Sequence, residues 1–243
     1  MRLDLYLAER AFCDSRSKAQ SLIRDNRVLV DEKVITKASF DVSDENVVTV
    51  LPSEKKEFVG RGGNKLEHAF EVFGIDAVGK VCLDIGASTG GFTECLLNHG
   101  AKCVYAVDSG TNQLAKSLLF DERVISIEGF NARNLTVDAL DGKSMELIVM
   151  DVSFISQKLL YPAILRVAKK GCEVVTLIKP QFEAGRQYIG KKGIVKDERV
   201  RKSVVKDIIS FAEESGFEYL KLTESPITGG DGNVEYLLYL KVK

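Results

Sequence analysis

The chain has almost no net charge, few histidines and no long apolar run, and each shortage excludes a class of function. Lys and Arg number 34 against 35 Asp and Glu, leaving −1 at pH 7. Overall charge therefore gives no sign of a nucleic-acid partner. No apolar run approaches the about 20 residues of a membrane span. The opening Met1–Arg10 alternates charged with apolar side chains and reads as no signal peptide. Histidine occurs only as His68 and His99, and Cys13, Cys82, Cys95, Cys103 and Cys172 form no C-x-x-C pair. No metal site is expected on that basis. An odd number of scattered cysteines fits reduced thiols in a cytoplasmic protein. Cys82 and Cys172 adjoin apolar runs and read as core fillers.

What is present divides near residues 51–60. The first part reads as a compact unit. Leu3, Leu7 and Phe12 suggest one helix, and Ser15 is a plausible N-cap for a second, Arg16 to Asp25, burying Ala19, Leu22 and Ile23. Asn26 can end that helix in the left-handed region. Val28–Val30 and Val34-Ile35 read as a tight hairpin, with Val47–Leu51 as a closing strand. The polar stretch Pro52–Glu57 reads as a linker. The expected domains are 1–57 and 58–243.

The second part alternates apolar strands with helical patterns. Strands are expected at Val81–Asp84, Val104–Asp108, Val124–Ile127, Leu147–Asp151, Val174–Lys179, Tyr219–Thr223 and Val234–Val242, with helices such as Leu159–Ala168 and Val200–Ser215. Such strands imply a mostly parallel sheet covered on both faces, an α/β Rossmann-like unit following a small α+β one. No helical pattern separates the last two strands, so the seventh should run antiparallel. Asp84, Asp108, Asp151 and Lys179 fall at expected strand ends, where such sheets bind ligands.

Between the first two strands lies Asp84-Ile-Gly86-Ala87-Ser88-Thr89-Gly90-Gly91-Phe92. Its glycines let a ligand approach the backbone. A dinucleotide turn reads G-x-G-x-x-G and presents a helix start to pyrophosphate. Here Ser88 replaces the second glycine, and Asp84 precedes the first by two residues. A carboxylate there repels a pyrophosphate but suits a cationic amino-acid ligand. S-adenosylmethionine, with an ammonium, a sulfonium and no phosphate, is the expected cofactor. Asp108 is placed to accept hydrogen bonds from both ribose hydroxyls.

Methyl transfer to a hydroxyl needs alignment and a proton acceptor. Lys65, expected just before the first helix of the second part, and Asp151, Lys179 and Glu235 are the candidates. Two lysines and two carboxylates converging on one crevice form an ion network in which one lysine can serve as the base. Ser153 and Ser156 read as helix N-caps after the fourth strand. Charge is also concentrated locally. Residues 184–206 hold eight bases, including Arg186, Lys191 and Lys192, against two acids. Residues 10–27 hold five, including Arg16, Lys18 and Arg24, against two. Focused positive patches on a near-neutral chain suit a phosphate backbone, and Arg61 is grouped with them as an RNA-binding residue.

The motifs G-R-G-G-N-K, L-D-I-G-A-S-T-G-G-F-T, A-V-D, M-D-V-S-F-I-S, I-K-P-Q-F-E and G-N-V-E-Y resemble the haemolysin A, or TlyA, family across essentially the whole chain. The resemblance implies a bacterial ribosomal RNA 2′-O-methyltransferase of the FtsJ-like class, using S-adenosylmethionine and acting on ribosomal RNA or subunits. It implies an amino-terminal RNA-binding domain like that of ribosomal small-subunit protein four. It also implies a Lys–Asp–Lys–Glu tetrad at Lys65, Asp151, Lys179 and Glu235, with Asp151 also beside the cofactor. Asn131 would lie near the adenine and the Gly86–Phe92 turn around the methionine moiety. The chain departs from the family pattern at Asp31-Glu32 (usually Asn-Gly), at Asn26 (usually glycine), and at Gly60 and Asn64. A monomer is favoured. Three other readings compete. A membrane-lytic protein lacks a supporting segment, a non-catalytic RNA-binding factor would not need the four-residue constellation, and a small-molecule methyltransferase would leave the basic runs unexplained.

Overall fold

The computed structural model describes residues 1–13, 15–52 and 58–243. Asp14 and most of the expected linker, residues 53–57, lie outside them. The chain separates into two compact units, Met1–Glu57 and Phe58–Lys243.

In the first unit, helices α1 (Leu3–Glu9) and α2 (Arg16–Arg24) accompany strands β1 (Val28–Val30), β2 (Lys33–Val34) and β3 (Val48–Val50). The strands form an antiparallel sheet in the order β2-β1-β3. Ser15 caps α2 by accepting from Lys18 N, a bond whose loss typically costs about 1 kcal/mol. Asn26, at φ +58, closes α2. Asn26 N and Arg27 N bond back to Ile23 O and Leu22 O, the two crossed bonds of a left-handed helix terminator. The same terminator corrects the expectation for Phe12. Ala11 turns left-handed at φ +57 and Phe12 N bonds to Leu7 O, so α1 stops early. Phe12 is exposed and stacks on Tyr6. The core is Leu3, Leu7, Ala19, Leu22, Ile23, Val28, Val30 and Val42.

One buried charge in this unit went unnoticed in the sequence. Asp4 is fully buried and accepts from Arg2, Arg16 and Gln20. The Arg2 hydrogen bond, chiefly, holds its carboxyl well below the usual carboxylate range. The hairpin residues Asp31 and Glu32 both have positive φ, as a two-residue turn between right-twisted strands requires. The Asp31 carboxylate turns back to accept Val47 N at 2.9 Å and Asn46 Nδ2 at 2.7 Å.

The second unit is a seven-stranded sheet built from β4 (Val81–Ile85), β5 (Cys103–Val107), β6 (Val124–Ile127), β7 (Met145–Met150), β8 (Ala168–Ile178), β9 (Phe217–Glu224) and β10 (Tyr236–Val242). The order is β6-β5-β4-β7-β8-β10-β9. The first five are parallel, and β10 lies antiparallel between β8 and β9. Helices α3 (Gly62–Phe73), α4 (Gly91–Asn98), α5 (Lys116–Leu119), α6 (Tyr161–Val167), α7 (Pro180–Glu183) and α8 (Glu198–Ser215) connect and cover it. Side chains alternate between two cores, as a doubly covered sheet requires. Leu83, Ile85, Ile148 and Met150 pack with α6 and α8, whereas Cys82, Leu147 and Val149 pack with α3 and α4. Burial pushes the Cys82 and Cys172 thiols up to about 12, so they are inert core side chains.

Three local expectations change. Lys65 lies inside α3, not before it, because the helix already starts at Gly62. β8 begins at Ala168, six residues earlier than the apolar run. Asp84 is not at a strand end. Gly86 N and Ala87 N bond to Val107 O, which carries β4 through Ile85 and leaves Asp84 wholly buried on the α3–α4 side.

Candidate active site

The turn after β4 is shaped by close approaches. Gly86 has φ +86, and a Cβ there would lie 2.5 Å from the Asp151 carbonyl oxygen. A Cβ on Gly91 would lie 2.8 Å from both Gly60 O and Gly63 N. The glycines thus let the β4 turn, the end of β7 and the start of α3 meet backbone to backbone. Ser88 takes φ +48 without being glycine, and its N–H donates to Asp108 Oδ2 at 2.8 Å. Gly110 N donates to Asp108 Oδ1 at 2.7 Å. Each oxygen of the half-buried Asp108 keeps acceptor capacity for a further donor.

Asp84 lies beneath this turn. Its Oδ2 accepts from the Thr93 hydroxyl at 2.7 Å. Its Oδ1 is buried with no hydrogen-bond partner. Burial pushes the Asp84 carboxyl up to about 7. A buried, half-satisfied carboxylate is costly unless a donor or cation arrives. Of the other turn residues, Ser88 and Thr89 are exposed and Ala87 and Gly90 buried. Phe92 is a core side chain packed under Gly62, not a surface of the cleft. Asn131 is exposed, and its side-chain oxygen caps a short 3-10 turn at Arg133 N. Its loop is tied to the Asp108 loop by Phe130 N to Asp108 O.

The structure brings Lys65, Asp151, Lys179 and Glu235 together. Lys65 Nζ donates to Glu235 Oε2 at 2.6 Å and lies 3.8 Å from Asp151 Oδ2. Lys179 Nζ is 2.5 Å from Asp151 Oδ1, an ion pair without hydrogen-bond alignment, and donates to Ser153 Oγ at 2.9 Å. The order Glu235–Lys65–Asp151–Lys179 alternates in sign, so the cluster is neutral as a whole. Three of the four follow or precede a strand directly: Asp151 after β7, Lys179 after β8, Glu235 before β10. Antiparallel insertion of β10 puts its beginning beside the ends of the parallel strands.

Several supporting residues escaped the sequence reading. Gln181 Nε2 donates to Glu235 Oε1 at 3.3 Å. Gly229 leaves room for that oxygen, since a Cβ there would lie 2.5 Å from it. Ser153 caps no helix and accepts from Lys179 instead, whereas Ser156 does cap the turn at Gln157–Leu159. Beside them Phe154 is 90% exposed, at φ +63, with its ring tilted against Phe182 at 5.0 Å. A bulky residue in that conformation is a strained feature. An aromatic among the alternating polar and aliphatic residues of D-V-S-F-I-S was its one signal in the sequence.

The basic residues divide. Arg24, Arg61, Arg186, Lys191 and Lys192 are exposed, and Lys18 is half-buried. Arg16 is committed to Asp4 at 2.8 Å, which makes it part of the first unit's framework. In the second run, Arg201 donates to Val195 O and Lys196 O, and Lys202 pairs with Glu198 at 2.7 Å. That run is therefore less free than its residue count implies.

An FtsJ-like methyltransferase model matches residues 58–242, and an S4 domain model matches residues 1–48. Hemolysin A of Brachyspira hyodysenteriae is 45% identical over 239 residues, covering 98% of this chain and 99% of that one. The 16S/23S rRNA (cytidine-2′-O)-methyltransferase TlyA of Mycobacterium tuberculosis is 41% identical over 242 residues, covering all of this chain and 90% of that one. A solved Streptococcus thermophilus structure described as a hemolysin superposes with a TM-score of 0.80 at 38% identity, covering all of this chain and 88% of that one.

Proposed function

The chain belongs to the FtsJ-like methyltransferase family and carries an amino-terminal S4 domain, and from this we propose that it transfers a methyl group from S-adenosylmethionine to a ribose 2′-hydroxyl of ribosomal RNA. The observation that carries the reading is the sign-alternating Lys–Asp–Lys–Glu cluster at the strand ends, beside a glycine turn and a ribose-competent acid. In this division residues 1–57 bind RNA and residues 58–243 carry out transfer.

The residues present fit the cofactor. The orphaned Asp84 Oδ1 is an acceptor that a cationic methionine moiety would satisfy. Asp108 would take the ribose hydroxyls, and the Asn131 loop would border the adenine. Bound S-adenosylmethionine supplies a methyl group on a sulfonium, a good leaving group that departs as a neutral thioether.

Lys179, after its ammonium has released a proton to solvent, accepts the proton of the attacking 2′-hydroxyl. Asp151 holds that lysine at 2.5 Å and Ser153 fixes its direction. Lys65 neutralises Asp151 on the other side and is itself held by Glu235. Exposed Phe154 gives the mouth of the site an aromatic face on which a base can stack. Arg61, Arg186, Lys191 and Lys192, with Lys18 and Arg24 of the small unit, contact phosphates.

The test is incubation of ribosomal subunits and free ribosomal RNA with labelled methyl donor, followed by mapping of the modified nucleotide. Label on a 2′-oxygen is expected. Full transfer by a folded, cofactor-binding Lys179→Ala protein would overturn the assignment of the base. The lytic activity suggested by the Hemolysin A relative's name is checked by liposome leakage with purified protein.

A further inference from the structure

Away from the tetrad, α3 and α4 bring three different metal-binding groups to one point. Cys95 and His99 are four residues apart at the end of α4 and so share a helix face. Glu67 reaches them from α3. The Cys95 thiol, His99 Nε2 and a Glu67 carboxylate oxygen all lie within 4.8 Å of one another. His99 Nε2 is 3.0 Å and Cys95 Sγ 3.5 Å from Glu67 Oε2. We propose that Glu67, Cys95 and His99 form a site for a soft divalent metal ion, zinc being the natural occupant, that clips α3 to α4.

The size of the donor triangle carries the argument. Zinc bonds of about 2.0 Å to nitrogen, 2.1 Å to oxygen and 2.3 Å to sulfur at tetrahedral angles give edges of about 3.4 Å for N–O and 3.6 Å for O–S. The two spacings to Glu67 Oε2 are within about 0.4 Å of those edges, and the nitrogen-to-sulfur edge, which lies under 4.8 Å, closes to about 3.5 Å on binding. The His99 ring is already oriented by stacking on Phe70, with centroids 3.9 Å apart and planes at 19°. Burial graduates across the site. Cys95 is buried, while the Glu67 and His99 side chains are 28% and 30% exposed. The sulfur thus forms the floor, and the fourth coordination position faces water. A thiolate with an imidazole selects zinc over the hard ions magnesium and calcium.

Protons balance simply. The Cys95 thiol releases one proton to solvent, His99 binds through Nε2 with its proton on Nδ1, and Glu67 binds as the carboxylate. One proton leaves per metal bound, and the two charges of the ion are matched by thiolate and carboxylate. Glu67 lies two residues after Lys65, and α4 begins at the glycine turn. A clip here would fix the helices that present the tetrad lysine and the cofactor turn. The site itself stands whether or not the proposed reaction is correct.

The test uses the full chain, free of any affinity tag, stripped with a chelator and titrated with Co²⁺ as a spectroscopic substitute for zinc. One equivalent should bring up the sulfur-to-cobalt charge-transfer band and the intense visible bands of a tetrahedral ion, and zinc should abolish them. Zinc should raise Tm. The thiolate band should vanish in Cys95→Ser. Affinity should fall by at least about a hundredfold in His99→Gln and Glu67→Gln, since even outer partners of metal ligands are worth about 10–100-fold. Both of these side chains are partly exposed, so the variants keep the fold. Cys13→Ser/Cys103→Ser should leave the titration unchanged. No band at equimolar Co²⁺, a band that persists in Cys95→Ser, or one lost in Cys13→Ser/Cys103→Ser would overturn the proposal.

Discussion

Replacing Lys65 by methionine should separate the stability of the second unit from its chemistry. Glu235 is 2% exposed, and its charged partner is Lys65 at 2.6 Å. Its other oxygen has Gln181 at 3.3 Å. At an effective dielectric constant of about 20, Lys65 gains about 6 kcal/mol from Glu235 at 2.6 Å and about 4 kcal/mol from Asp151 at 3.8 Å, before desolvation is subtracted. Desolvation cancels most of that gain while both partners are present. Removing one partner leaves the other's desolvation uncompensated, and the expected loss for Lys65→Met is about 3–5 kcal/mol. Glu235→Gln should cost less, because Lys65 keeps Asp151 as a counter-charge. The Lys65→Met/Glu235→Gln double variant should recover at least about 2 kcal/mol of the single variant's loss. Urea denaturation reads these differences, and methyl transfer read alongside should stay near background in the double variant. A double variant no more stable than Lys65→Met would refute the coupling. One that regained transfer would refute the role of the pair in catalysis.

Four further outcomes follow from the geometry. The folded chain keeps the Asp84 proton up to about pH 7, whereas the unfolded chain loses it from about pH 4. The unfolded state therefore binds fewer protons in that window, and stability falls as pH rises through it. A cationic ligand needs the ionised form, so S-adenosylmethionine affinity, read by calorimetry, should rise by up to tenfold per pH unit toward pH 7 and then level off. Asp84→Asn should flatten both profiles. Phe154→Ala should leave denaturation midpoints unchanged, because the side chain is exposed, while weakening productive RNA binding by about 1–3 kcal/mol with cofactor affinity intact. Lys191→Ala/Lys192→Ala should reduce the slope of log RNA affinity against log salt by about 2, whereas Arg16→Ala should lower the stability of the small unit by uncovering buried Asp4.

The parallel strands were legible because a strand covered on both faces must be apolar almost throughout, and such runs stand out between helical patterns. Asp151, Lys179 and Glu235 were legible for a related reason: polar residues that bound those runs fall at strand ends, whereas Lys65 lies inside α3 and stands out only through its G-R-G-G-N-K motif. Asp84 misled because its run continues past it to Ile85, and sequence alone does not say that a carboxylate can be buried inside a strand. Ser153 misled because a serine after a strand is usually a cap, and its partner Lys179 is 26 residues away. Gln181 and Gly229 matter only through the position of Glu235, which no local pattern encodes. The grouping of Glu67 with Cys95 and His99 leaves no trace in C-x-x-C spacing or in histidine density. The informative signal was four-residue spacing on a helix, completed from a helix 28 residues earlier.

The placement of β10 between β8 and β9 has a consequence for assembly. During synthesis β8 emerges long before β10, and until β10 arrives one edge of β8 and one edge of β9 lack their final partner. The same strand brings Glu235 beside Lys65. The event that closes the sheet is thus also the event that compensates a buried ammonium and completes the tetrad. A chain that has not finished folding has an open sheet and an incomplete site together. The four residues proposed to carry out transfer therefore come together only when β10 is paired with β8.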